Sequence, residues 1–106
     1  MKRSLTTAAR RRVEGIHRLS RRRARREGRK HLACLLEMLS EHAVEIRDLQ
    51  GRGDRHYLVE TGDLALLCLE IMLEGRRDPE AILEECFGRF ERKLVSPASG
   101  GAPRSG

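Results

Sequence analysis

A chain of 106 residues has room for one domain and one modest core. With 39% apolar but only 3% aromatic residues, that core must be filled by Leu, Ile, Met and Ala. No apolar run reaches the roughly 18 residues of a membrane span, and Leu, Ala, Glu and Arg outweigh the β-branched residues, which favours helices over strands. Cys34, Cys68 and Cys86 are widely separated, with no C-x-x-C pair. That argues against a disulfide framework and for packing thiols of a cytoplasmic protein.

The net charge of +6 hides an asymmetry. Residues 1–31 hold thirteen Lys and Arg against two acids, a balance of +11; the remaining nine bases face fourteen acids, a balance of −5. A basic segment seeks phosphates, an anionic surface or an acidic partner. An Arg-rich, acid-poor N-terminus also resembles an organellar transit peptide.

Residues 7–26 read as a helix with Val13, Ile16 and Leu19 on a narrow apolar face and arginine nearly all round the rest. Like charges one turn apart repel, so the helix is expected to be only partly ordered alone. Gly28 breaks it. Residues 30–50 form a second helix, with Leu32, Leu35, Leu39, Ile46 and Leu49 at heptad-like spacing and His42 on the same stripe. Gly51-Arg52-Gly53-Asp54 is a short turn. The third helix, from about Arg55 to Glu74, is apolar on most sides and is expected at the centre of the fold. Gly75 closes it. Asp78-Pro79 opens a fourth helix, about 79–94, whose Ile82, Leu83, Cys86, Phe87, Phe90 and Leu94 make a covering face. Residues 96–106 read as a disordered tail. The expected organisation is therefore a basic arm over residues 1–29, an all-α helical bundle over 30–95 built on an antiparallel hairpin, and the tail. So apolar a third helix needs more cover than one fourth helix gives, which implies a dimer.

The third helix carries a polar line, His56, Glu60, Asp63, Glu70 and Glu74, which in the simplest case is its solvent face. In an antiparallel hairpin, residues equidistant from the turn centred between Arg52 and Gly53 lie at equal height. Glu45 then matches Glu60, and His42 matches Asp63, so four potential ligands converge if the faces turn together. Carboxylates collected this way either repel or bind a cation, and Mg²⁺ held by such oxygens positions phosphates.

Glu60-Thr61-Gly62-Asp63 is an E-x-x-D motif, and Glu41-His42-Ala43-Val44-Glu45 is close to E-E-A-V-E. With an apolar helix and an acidic-led last helix following in order, residues about 30–95 resemble the MazG-like and phosphoribosyl-ATP pyrophosphatase-like superfamily of all-α nucleoside triphosphate pyrophosphohydrolases. The resemblance implies that Glu45, Glu60 and Asp63 bind Mg²⁺, that a nucleotide α–β phosphoanhydride is hydrolysed to release pyrophosphate, and that Arg89, Arg92 and Lys93 meet phosphate. His42 stands where the family has a glutamate. Imidazole is a poorer ligand for Mg²⁺ than carboxylate and suits Mn²⁺ or Zn²⁺ better, so the activity is expected to be either retained or lapsed. The competing class is a non-enzymatic helical module whose run Arg21, Arg22, Arg23, Arg25 and Arg26 binds nucleic acid or an acidic partner. Without aromatic residues for stacking, it would bind phosphates without sequence selectivity.

Overall fold

The computed structural model describes residues 6–95, so the expected tail at 96–106 lies outside the described residues. The described residues form an all-α fold, a small bundle of four helices: α1 (Thr7–Arg26), α2 (His31–Gly51), α3 (Tyr57–Glu74) and α4 (Pro79–Val95). No described residue is in a strand. Among the described residues no helix is long and apolar enough to cross a membrane.

Local chemistry sets the helix ends. Thr6 caps α1, its Oγ1 accepting from the Ala9 N–H at 3.1 Å. The first three helices each end in the same pair of backbone bonds closed by a left-handed residue. Gly28 (φ 67°) follows α1, with Arg29 N–H donating to the Ala24 carbonyl at 2.9 Å. Gly53 (φ 75°) follows α2, with Asp54 N–H donating to Leu49 at 2.9 Å. After α3 the left-handed position falls on Arg76 (φ 61°), not on Gly75, and Arg77 N–H donates to Met72 at 3.1 Å.

The hairpin of α2 and α3 is the dominant packing unit. Leu35, Leu49 and Leu67 are buried in it, each contributing roughly 1.5–3 kcal/mol over its exposed state. Two expectations need correction here. The N-terminal helix is not an arm outside the bundle, because α1 lies against both α2 and α3. Val13, His17 and Ala24 are its buried residues, whereas Leu19 is 61% exposed. A search for large apolar residues misses this face, since Ala24 is small and His17 is buried through polar contacts. Arg10 adds ion pairs to Asp78 at 2.8 Å and Glu80 at 3.3 Å. The fourth helix, in turn, does not cover the hairpin. It packs against α3 and meets α1 through the Arg10–Glu80 ion pair; of its residues only Pro79 is buried, and Phe87, Phe90 and Leu94 are exposed.

Candidate functional site

The hairpin brings three of the expected ligands together. His42, in the middle of α2, faces Glu60 and Asp63 in the first two turns of α3. Its Nε2 lies 3.4 Å from Glu60 Oε1 and 3.8 Å from Asp63 Oδ2. The ring is oriented from behind: His42 Nδ1–H donates to the Met38 carbonyl at 2.9 Å. A neutral His42 therefore presents the Nε2 lone pair to two carboxylates. Three acceptors facing one another repel unless a proton or a metal ion lies between them, and one donor atom from each residue fits within a 4.8 Å group. Glu60 and His42 are half-buried, Asp63 opens to solvent, and His56 Nε2 approaches Glu60 from the other side at 3.6 Å.

Glu45 stands outside that group, exposed on α2. It matches the height of Glu60, but three residues along a helix turn a side chain by roughly 60° relative to His42. Arg89, Arg92 and Lys93 are all exposed on α4, the Lys93 ammonium lying 5.8 Å from the Phe90 ring centroid. On α1, Arg21, Arg22, Arg23, Arg25 and Arg26 are exposed as well. Arg23 pairs with Glu27 at 3.2 Å, and Arg21 lies 3.7 Å from Glu74.

A second polar cluster, which sequence reasoning did not assemble, lies at the other end of the hairpin. His17 Nε2 of α1 and His31 Nδ1 of α2 both approach Glu74 Oε1 of α3, at 2.9 Å and 2.8 Å. Both histidines are buried and their ring centroids are 5.0 Å apart. Burial pushes the Glu74 carboxyl up, but the hydrogen bonds from His17 and His31, with the charges of His31 and Arg21, outweigh it and hold the group below its ordinary value. Behind His31, Nε2 contacts the Ser20 hydroxyl and lies 3.9 Å from Glu70 Oε1. Glu70 is only 4% exposed, and that oxygen has no hydrogen-bond partner among the described residues. The polar line of α3 is thus a solvent face at neither Glu70 nor Glu74. The spacing of Val13, His17 and Ala24 on one helical face was the signal available in the sequence.

No family model, curated protein or solved structure matches this chain.

Proposed function

We propose that this protein is a divalent-cation-dependent nucleotide pyrophosphohydrolase of the MazG-like kind, with His42, Glu60 and Asp63 holding the cation. One observation carries the reading: the oriented Nε2 of His42 faces the carboxylates of Glu60 and Asp63 across the hairpin. One imidazole with two carboxylates is a donor set that fits a divalent ion, Mn²⁺ better than Mg²⁺. Such an ion supplies neutralisation of phosphate charge and orientation of water. The chain's own part is to fix the donors on two helices of one hairpin, with the Met38 carbonyl holding the imidazole and Asp63 open to solvent, where a nucleotide phosphate can approach. Glu45 and the bases Arg89, Arg92 and Lys93 stay in the reading as residues the nucleotide would meet. Hydrolysis breaks the α–β phosphoanhydride, water adding to one phosphorus, and yields a nucleoside monophosphate and pyrophosphate.

The test is product analysis with the common nucleoside triphosphates and Mn²⁺ or Mg²⁺. Pyrophosphate and monophosphate should appear together, and Asp63→Ala should abolish both. Release of inorganic phosphate alone, or cation binding with no turnover on any of them, goes against the reading, the latter describing a lapsed relative.

The basic helix supports a second reading, phosphate-directed binding of nucleic acid without sequence selectivity. Arg11, Arg12, Arg18, Arg22, Arg25 and Arg26 are exposed, and none is paired with a described residue. Self-association also belongs to the proposal. Leu58, Val59 and Leu66 of α3 are exposed, as are Leu32 and Leu36 of α2, more apolar surface than a small monomer usually leaves open. Sedimentation of the intact protein decides that point.

A further inference from the structure

We infer that His17, His31 and Glu74 form a second, buried metal centre, selective for a transition ion such as Zn²⁺, that ties α1 to the hairpin. The inference is independent of the nucleotide reading, since the two clusters share no residue and lie about 16 Å apart along α2 at 1.5 Å per residue. Three helices each supply one donor, His17 Nε2, His31 Nδ1 and Glu74 Oε1, all within 4.8 Å of one another. Two imidazoles and a carboxylate suit Zn²⁺ and its neighbours, whereas Mg²⁺ and Ca²⁺ prefer oxygen throughout. In a tetrahedral site with bonds of about 2.0–2.1 Å, donors stand roughly 3.3 Å apart. The observed 2.8 and 2.9 Å therefore need to open by only about 0.5 Å.

Glu70 is the independent observation. A carboxylate oxygen buried with no partner is costly, and this one lies beside the far nitrogen of His31. Metal binding through Nδ1 puts the remaining ring proton on Nε2, where the Ser20 hydroxyl can accept it and the Glu70 oxygen, 3.9 Å away, can do so after a shift of roughly 1 Å. That is the carboxylate–histidine–metal arrangement that fixes the tautomer and raises the basicity of a ligating imidazole. Charge agrees with geometry: the buried Glu70 and half-buried Glu74 carboxylates with two neutral imidazole ligands carry −2, which one divalent ion cancels. Arg21 supplies part of the balance without metal, 3.7 Å from Glu74. It is half-exposed and can swing into solvent. Glu74, the least covered ligand of the three, marks the side from which an ion enters.

The test uses the full chain carrying His42→Gln and Asp63→Asn, so that the hairpin cluster cannot compete, titrated with Co²⁺ and then Zn²⁺. One equivalent of Co²⁺ should bind with the visible absorption of a four-coordinate ion and be displaced by Zn²⁺. Proton NMR of the Co²⁺ form should show two strongly shifted exchangeable imidazole N–H signals, one from each histidine. Adding Glu74→Gln should abolish the absorption, and adding Glu70→Gln should weaken binding roughly 10–100-fold. Should Glu74→Gln fail to fold, the NMR signals of the folded chain decide alone. Absence of binding below millimolar Co²⁺, binding with fewer than two shifted imidazoles, or binding that survives Glu74→Gln overturns the inference. In any of those cases the cluster is a hydrogen-bonded clasp that needs no metal.

Discussion

Replacing Glu70 by Met should change stability in opposite directions with and without metal. Glu70 is 4% exposed, one of its oxygens has no hydrogen-bond partner among the described residues, and the His31 ring nitrogen beside it is 3.9 Å away. An unsatisfied buried polar group costs about 1–3 kcal/mol, and an apolar side chain of similar volume removes that cost without opening a cavity. In the presence of a chelator, Glu70→Met should therefore gain on the order of 1 kcal/mol, which raises Tm by roughly 4–8 °C for a domain near this size. With saturating Zn²⁺ the order should reverse. Losing the carboxylate behind His31 weakens the metal about 10–100-fold, equivalent to about 1.4–2.7 kcal/mol of linked stabilisation. Urea unfolding followed by circular dichroism, in EDTA and in Zn²⁺, reads both signs. A loss of stability in EDTA would mean instead that Glu70 is held by a partner worth more than its desolvation.

Three further outcomes follow from the same geometry. Arg76→Gly should stabilise by about 1 kcal/mol, since Arg76 holds a left-handed φ of 61° that glycine adopts without strain; an unchanged urea midpoint would argue that the turn relaxes. In metal-free protein the lowered pKa of Glu74 stabilises the fold above the ordinary glutamate range, and that contribution is lost as pH falls through the lowered native value; Glu74→Gln should flatten this acid limb, and an unaltered limb would assign it elsewhere. Changing Arg22, Arg25 and Arg26 together to Ala should shallow the dependence of log K on log salt for duplex DNA by roughly 0.9 for each phosphate that no longer meets an arginine; no change in slope would remove those side chains from any DNA-binding surface.

Helix positions were legible because punctuation and periodicity agree. Gly28 and Gly53 sit at the left-handed positions their helices need, and Asp78-Pro79 opens α4 as expected. Gly75 was the exception: the bond to Met72 forms one residue later, so Arg76 takes the strain. Height across the hairpin was legible too. Pairing by distance from the turn put His42 beside Asp63, and it also matches His31 with Glu74, which do meet. What it cannot supply is helical phase, and on phase Glu45 parts from Glu60. The buried cluster was only partly legible, for another reason. His17 and Glu70 occupy inward positions where an apolar pattern expects Leu or Ala, and only the packing of α1 against the hairpin brings His17 to Glu74. The weak cover from α4 was hidden as well, because a clean apolar stripe records a face that favours burial but not the surface that buries it.

Whether His42, Glu60 and Asp63 jointly hold a divalent ion is tested by Mn²⁺ electron paramagnetic resonance without any choice of nucleotide. Titrating the protein into Mn²⁺ should quench the free-ion signal, Asp63→Ala and Glu60→Gln should each remove one equivalent of that quenching, and Glu74→Gln should leave that equivalent in place. A free-ion signal undiminished by the wild-type chain, or quenched equally by Asp63→Ala, would mean that these three residues hold no ion.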